Sequence, residues 1–241
     1  MFRTLQFLAL TLAVAPAALA AQEITGAAYV EPTTAYGHGA LAGGEYAGLR
    51  IGYDDGADKV IRFPGAVFED TAPRLHDVDG DGRPELVVVV SDFAAGARIV
   101  VLGQDGTGLR VLGQTAPIGQ RHRWLAIAGI ADFDGDGRDE IAYIDRPHLA
   151  KTLRLVSVEI IGGTARFTPL AEAAGLTNHH LGAADIEGGL RACPGAAPVV
   201  VSADGGWRDV VETRLVGGRL ASTPVAPYTG PASLAARLVC P

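Results

Sequence analysis

Two acidic loops with the same pattern hold the residues most suited to metal chemistry. Both read D-x-D-G-D-G-R-x-E, the first over residues 77–85 and the second over residues 132–140. Carboxylates at positions 1, 3, 5 and 9 of a glycine-bent loop can converge on one point, and calcium takes about six to eight oxygen ligands of this kind. Carboxylates held so close repel one another unless a cation lies between them. The repeated pattern therefore predicts two calcium ions, whereas one copy alone would suit a metal-free Asp/Gly turn equally well.

The segments that flank the loops are typical of strands. An EF-hand would need a glutamate at loop position 12 and a helix on each side. That position holds Val88 in the first loop and Tyr143 in the second. Residues 85–91 and 140–145 are short and rich in β-branched side chains, which favours β-structure. Each loop is therefore expected to join two strands.

The loops with their flanking strands, residues 75–90 and 130–144, resemble FG-GAP/VCBS repeats, which form the blades of integrin-α-type β-propellers. The resemblance implies a fold and an ion but no single activity. Family loops often end in aspartate, so the glutamate at position 9 is a departure. The residue at loop position 7 would contribute its backbone carbonyl. The implied ligands are Asp77, Asp79, Asp81, Arg83 and Glu85 in the first loop, and Asp132, Asp134, Asp136, Arg138 and Glu140 in the second.

The spacing of apolar segments around the second loop predicts a four-stranded unit, with strands near 124–131, 140–145, 152–160 and 164–170. Four strands in roughly 50 residues make one propeller blade. Residues 184–189 align with 131–136 as a repeat that has lost its metal, and residues 36–68 are interpreted as a degenerate first repeat. The fold class predicted is all-β, a small β-propeller of four or five four-stranded blades. Calcium loops would lie between the first two strands of two blades.

The chain ends bear on how such a ring would close. Residues 24–30 and 234–239 are expected to pair as strands and complete a blade, since pairing protects open sheet edges. Residues 171–175 are the one segment expected to form a helical turn. A closed monomer is favoured over an open propeller that closes by dimerising, because the repeats are evenly spaced.

The first 20 residues have the features of a secretory signal. Arg3 supplies a positive start, residues 5–14 are apolar, and Ala18-Leu19-Ala20 is a cleavage motif. The apolar run is short for a membrane anchor, which is the alternative. We therefore expect a secreted or periplasmic protein, cleaved after Ala20, with residues 21–241 as a single FG-GAP/VCBS-like domain. No later stretch is long enough to span a membrane.

Charge and cysteine content narrow the expected partners and compartment. The net charge is −7, or −8 once Arg3 is lost, and there is no basic patch, so nucleic acid is not an expected partner. Cys193 and Cys240 are the two cysteines of the chain. In an exported protein they are expected to form a disulfide, with two free thiols as the alternative.

A second group of polar residues is predicted to meet at the end of the fold opposite the loops. The loops join strands one and two, so residues before strand one or after strand two must lie at the other end. Such a cluster is typical of a ligand-binding face, although loops collect polar residues in any protein. Its histidines could also bind a transition metal. The group comprises Arg121, His122, Arg123, Trp124, Asp145, Arg146, His148, Asn178, His179 and His180.

Three function classes remain open. The sequence carries no nucleophile-elbow, zincin, P-loop or dinucleotide-binding motif, so an enzyme is not favoured and no residue is assigned as catalytic. The favoured hypothesis is a calcium-binding module for a protein or glycan partner, and three arginines in the polar group predict a polar or anionic ligand. The alternatives are a hydrolase or lyase acting at this end, which needs a deep cleft with an Asp/His pair, and a structural scaffold.

Overall fold

The computed structural model of the chain describes residues 22–105 and 108–240, which form an almost entirely β structure. Their strands make three antiparallel sheets. The first sheet holds β1 (Ile24–Thr33), β2 (Glu45–Tyr53), β3 (Asp58–Ile61), β4 (Ala66–Phe68), β5 (Arg74–His76), β6 (Glu85–Asp92), β7 (Gly96–Asp105) and β8 (Gly108–Gln114). The second holds β9 (Leu125–Ala131), β10 (Glu140–Asp145), β11 (Thr152–Ile161) and β12 (Thr164–Ala174). The third holds β13 (Leu176–Thr177), β14 (Gly189–Arg191), β15 (Val199–Asp204), β16 (Asp209–Val216) and β17 (Arg219–Pro227). The all-β class is confirmed.

One four-stranded meander recurs three times. It is simplest in the second sheet, where β9, β10, β11 and β12 pair in chain order. In the other two units the first strand is split into two pieces that pair with the same neighbour. The strands β4 and β5 both pair with β6, and β13 and β14 both pair with β15. Each unit therefore keeps four strand positions even where the first strand is interrupted.

The predicted first repeat, residues 36–68, is not a separate four-stranded sheet. The strands β1, β2 and β3 extend the first sheet, and Tyr46 of β2 pairs with Phe68 of β4. The strand β4 itself belongs to the next unit, because Phe68 is buried against Leu86 and Val88 of β6. The count of four four-stranded blades is thus not confirmed, since the described residues define three such units and a three-stranded extension.

The expected strand at residues 234–239 is wrong, and so is its pairing with the N-terminal strand. Pro231–Ala235 form a short helix, α1, which begins at a proline and buries Leu234 against Val199, Val201 and Val210. The strand β1 pairs with β2 instead. The helical turn expected at residues 171–175 is also wrong, because β12 continues through Ala174, which pairs with Thr152.

The buried strand β6 explains how the repeat units are joined. Its apolar run has both faces covered, as expected for a central strand. Leu86, Val88 and Val90 pack into one core cluster, whereas Val87 and Val89 pack into another that includes Ile127 and Ile141 of the second sheet. Because β6 follows the first acidic loop directly, this packing fixes the base of that loop against the neighbouring unit.

The predicted disulfide is confirmed. Cys193 and Cys240 are bonded, with their Cα atoms 5.7 Å apart. The bridge ties the segment that follows α1 to the residues just after β14. A disulfide is consistent with an oxidising, extracellular location. The predicted signal peptide at residues 1–20 lies outside the described residues, and no described helix is long and apolar enough to cross a membrane.

The disulfide should contribute measurably to stability. The bridge joins two residues that are 47 positions apart in the sequence, and it therefore restricts the conformations of the unfolded chain. The double change Cys193→Ser and Cys240→Ser should lower the free energy of unfolding by about 2–4 kcal/mol. Urea denaturation of the oxidised protein and of the variant measures this difference. Equal unfolding midpoints would contradict it.

Candidate functional sites

The two acidic loops fold in the same way. In the first, a side-chain oxygen of Asp77 accepts a hydrogen bond from the N–H of Gly82 at 2.9 Å, and in the second Asp132 does the same for Gly137 at 2.9 Å. Both glycines have a positive φ, which residues with a side chain rarely adopt. The first aspartate of each loop therefore folds the chain back towards itself.

A buried glutamate closes each loop from its far end. Glu85 accepts the N–H of Val78 at 3.0 Å, and Glu140 accepts the N–H of Phe133 at 2.9 Å. Burial raises the pKa of both carboxyl groups to about 7, with the nearby aspartates adding to the rise and those N–H groups opposing it. Each loop therefore carries a carboxyl group that favours either a proton or a neighbouring positive charge at neutral pH.

Three carboxylates converge in each loop. Oxygens of Asp77, Asp79 and Glu85 lie within 4.8 Å of one another, and so do oxygens of the first three aspartates of the second loop, Asp132, Asp134 and Asp136. Asp81 and Glu140 are outside these groups. The Asp81 carboxylate instead pairs with Arg83 at 2.8 Å, and Asp136 pairs with Arg138 at 2.6 Å. Coordination by the backbone carbonyls of the two arginines stays a prediction.

The donor set fits a hard cation. Asp77 Oδ1 and Glu140 Oε1 are buried and accept no hydrogen bond from any described residue. The nearby Ser157 hydroxyl lowers the Glu140 pKa but does not reach hydrogen-bond geometry with that oxygen. Buried carboxylate oxygens without a partner are costly, and a metal ion bound among oxygen ligands would satisfy them. The loops can therefore hold a metal ion each.

A histidine links the two loops. His76 Nε2 lies 2.6 Å from a carboxylate oxygen of Asp139. His76 precedes the first loop, and Asp139 stands just before the closing glutamate of the second. Both loops therefore lie side by side at one end of the molecule.

The other end carries a cluster of aromatic and basic side chains that begins in the N-terminal segment. The Tyr36 hydroxyl accepts the N–H of His122 at 2.7 Å, and the Tyr36 carbonyl accepts from the Arg121 guanidinium at 2.7 Å. The ring of His38 stacks on that of His122, with centroids 5.3 Å apart. A buried carboxylate, Glu69, bonds His38 Nδ1 at 2.6 Å.

Trp124 is the centre of this end. The residue is 1% exposed, and its indole N–H donates to the Glu69 carbonyl at 2.6 Å. The His179 ring meets the indole edge-on at 4.9 Å, and the His148 ring stacks at 6.2 Å. The two histidines contact each other, with His148 Nε2 3.0 Å from His179 Nδ1. Residues from three separate parts of the chain thus form one packed group.

His180 belongs to an adjacent aromatic group. Its ring stacks on Trp207 at 3.6 Å between centroids, and Tyr228 lies 4.9 Å from Trp207. Glu187 accepts from the Tyr228 hydroxyl at 2.6 Å and contacts His180 Nδ1 at 2.8 Å. Asn178, next to the packed histidines, is 1% exposed, and both polar atoms of its side chain lack a partner among the described residues.

A small pocket, in which a water molecule can occupy about 20 Å³, opens between the first two groups. Three arginines border this region, and only one of them is in an ion pair. Arg146 binds Asp145 through two hydrogen bonds, whereas Arg121 and Arg123 form no ion pair with any carboxylate in residues 22–105 and 108–240. The pocket is lined by His38, His122, Arg123, Trp124, Arg146, Pro147, His148 and Leu149.

The structure brings the ten predicted polar residues to one end, but in different roles. Trp124, Asp145, Asn178 and His179 are buried, while Arg121 and His180 are exposed. The histidines do not form a group of three with converging nitrogens within the described residues, unlike the acidic loops. The Asp145 carboxylate forms ion pairs with Arg146 and Arg154.

Sequence reasoning missed Glu69, Glu187 and Tyr228 as members of this end. Glu69 follows β4, which was assigned to the preceding repeat, so its place in the interrupted first strand between β4 and β5 was not visible. The signal that could have found it is the pair of acidic residues, Glu69 and Asp70, placed just after an apolar segment. Glu187 lies in an insertion between β13 and β14, and Tyr228 lies just after the last strand. The repeat pattern does not predict the position of residues in these two segments.

Comparison with known proteins places part of this chain in a family. Residues 77–143, from the first acidic loop into β10, match the model of the FG-GAP-like repeat. The segment that holds both loops is therefore an FG-GAP-like repeat, as the resemblance implied. No curated protein matches the chain.

The histidine pair should make stability depend on pH. Burial lowers the pKa of His148 to about 4, and His179, His38 and His180 oppose its protonation further. Burial likewise lowers the pKa of His179. In the unfolded chain a histidine binds its proton near pH 6.5, so between about pH 6.5 and pH 4 the unfolded state takes up more protons than the folded state. Stability should therefore fall as pH falls through this window.

The change His148→Gln should flatten that dependence. Urea denaturation at several pH values between 4 and 7, with calcium present throughout, compares the variant with the parent protein. A slope of stability against pH that is the same in both proteins would show that His148 is protonated equally in the folded and unfolded states.

Proposed function

We propose that this protein is a secreted, calcium-stabilised β-propeller that binds a protein or glycan partner at its histidine-rich end. FG-GAP repeats indicate a β-rich interaction module, which supports a binding function. The acidic loops supply the oxygen ligands for two calcium ions, and the end opposite them supplies the binding surface.

One observation carries the assignment of the binding end. Five non-glycine residues have a positive φ within the described residues, and four of them lie in the loops of this end: His122, Arg146, Lys151 and Trp207. Such conformations cost on the order of 1–3 kcal/mol each and persist where the surroundings enforce them, often at functional sites. Four such residues in the loops of one end support the proposal that this end is a binding surface whose backbone shape matters as well as its polar side chains.

The propeller arrangement has support from contacts between distant units. The segment around Leu41 pairs with Ala183, and the Gly182 N–H donates to the Ala40 carbonyl at 2.8 Å. These bonds join the N-terminal segment to the insertion in the third sheet's first strand. Tyr36 also bonds the loop before β9. An N-terminal segment that contacts both later units supports closure within one chain and hence a monomer.

Binding is favoured over the hydrolase or lyase alternative. An enzyme of that kind needs a deep cleft with an Asp/His pair. The pocket at this end is small, and within the described residues the one carboxylate that contacts a histidine of its lining is that of the buried Glu69, on His38. The pair formed by His76 and Asp139 lies at the opposite end, between the acidic loops.

Removing two pocket side chains should abolish partner capture. The double change Arg123→Ala and His148→Ala removes an unpaired guanidinium and one wall of the pocket without touching the sheets. Capture by the immobilised protein from the extracellular or periplasmic fraction of its source cells should be lost, while the melting temperature falls by no more than roughly 5 °C, as expected for changes outside the core.

The matched control is Arg166→Ala with Arg219→Ala, since both arginines are exposed on outer strands. This control should capture partner as the parent protein does. Capture that survives the pocket changes, or that the control loses equally, would place the binding surface elsewhere. Unfolding of the pocket variant would instead favour a structural role for this end.

Calcium should stabilise the folded protein. The ligands converge only after folding, so calcium at about 100 times its dissociation constant should add about 2.7 kcal/mol per site. The melting temperature should rise by roughly 5–10 °C per site when chelator is replaced by calcium. Asp134→Ala should remove one site and about half of this gain, whereas Asp58→Ala, an exposed aspartate on β3, should keep all of it. A melting temperature that chelator leaves unchanged would contradict calcium binding.

A further inference from the structure

We infer that the pocket between His38 and His148 receives the carboxylate side chain of an aspartate or glutamate from a protein partner. This inference rests on the proposed function and specifies its ligand. Four features of the pocket support it: its size, the hydrogen-bonding edge that Arg123 leaves open, the pairing of the nearby carboxylates and the apolar rim.

The size of the pocket fits a side chain better than a complete small molecule. Ligand pockets commonly enclose about 300–1,000 Å³. In this one, the space that a water molecule can occupy is about 20 Å³. A single carboxylate group fits such a volume, and the rest of the partner would lie across the surrounding surface.

Arg123 offers the pocket a free edge for a carboxylate. Its Nη1 donates to the His122 carbonyl at 2.9 Å, and its Nε and Nη2 bond no described residue. These two nitrogens form the side-on edge of the guanidinium, which matches the two oxygens of a carboxylate. Arg146 shows that geometry in the same pocket wall, because its Nε and Nη2 hold Asp145 at 2.8 and 2.9 Å.

The acidic groups near the pocket are already paired. Asp145 is bound by Arg146 and Arg154, and Glu69 is bound by His38 and the Ser91 hydroxyl. An entering carboxylate would therefore meet the unpaired charge of Arg123, with the unpaired Arg121 nearby. On a chain of net charge −7, these two arginines favour an anionic ligand at this end.

The rim points to a protein partner. Leu149 lines the pocket and is 61% exposed. An exposed leucine beside Arg123 suits a segment in which an acidic residue has an apolar neighbour, because burying the leucine would add hydrophobic stabilisation to the ion pair. A free anion would make no use of it.

The indole N–H signal of Trp124 is sensitive to the pocket, because the Trp124 side chain lines it. The chain has two tryptophans, and Trp207 provides an internal reference outside the pocket lining. We would titrate the ¹⁵N-labelled protein, with calcium present, with N-acetyl-glutamate N-methylamide and follow both indole signals. The isosteric glutamine amide and inorganic phosphate are the comparison probes, and the signal is assigned with Trp207→Phe.

The expected result is a saturable shift of the Trp124 signal with the glutamate probe and binding about tenfold weaker, or none, with the glutamine probe, since an ionised partner strengthens such bonds. Arg123→Gln should abolish the shift. The matched control Arg208→Gln, at an exposed arginine next to Trp207, should keep it. An N-acetyl-Glu-Leu amide should bind more tightly than the single residue, and Leu149→Ser should remove that advantage.

Other outcomes overturn the inference. Equal shifts with glutamate and glutamine, or a shift retained in Arg123→Gln, would exclude a carboxylate at this guanidinium. Tighter binding of phosphate than of glutamate would assign the pocket to a phosphorylated ligand. If the pocket double variant loses partner capture but glutamate moves no Trp124 signal, the binding end stands and only its ligand class is wrong. If neither test succeeds, both proposals fail.

Discussion

Two buried glutamates impose the constraint on which the rest of the structure depends. Glu85 and Glu140 stand at the first position of a central strand and hold the start of their loops through a backbone N–H. Burial beside aspartates raises the pKa of each to about 7, so the ionised form needs a neighbouring positive charge. A cation in each loop would offset the cost of burying the ionised glutamate. The two strands that flank the loop could then stay hydrogen-bonded to each other as far as the first residue of the loop.

That constraint also determines what lies at the opposite end. Each loop fixes the register between the first and second strands of its unit. The residues just before the first strand and just after the second strand therefore lie next to each other at the opposite end. Trp124 and Asp145 flank the β9–β10 pairing in this way. His179 instead lies in the interruption of the third unit's first strand, between β13 and β14. The histidine-rich end is therefore a product of repeat geometry, although its chemistry comes from insertions that differ between units.

The sequence predicted three of the four strands of the second sheet almost to the residue, because its loop, its alternating burial and its tight turns all agree there. The strands expected at 140–145 and 152–160 were found at Glu140–Asp145 and Thr152–Ile161. Prediction failed where tertiary pairing decides the outcome. The strand β4 resembles the end of one repeat but pairs with the next, and residues 234–239 begin inside a short helix that starts at Pro231 and buries Leu234. The candidate site was predictable as a set of residues, but Glu69, which organises His38, was not.

The most direct test of the central claim is the amount of calcium bound by the folded chain. Equilibrium dialysis against calcium, followed by elemental analysis of the protein, gives the number of ions per molecule. We expect two ions in the parent protein and one in each of the variants Asp77→Asn and Asp132→Asn, whose sheets should stay intact by circular dichroism. A parent protein that binds no calcium while folded would contradict the account, because the buried carboxylates would then be satisfied by protons alone.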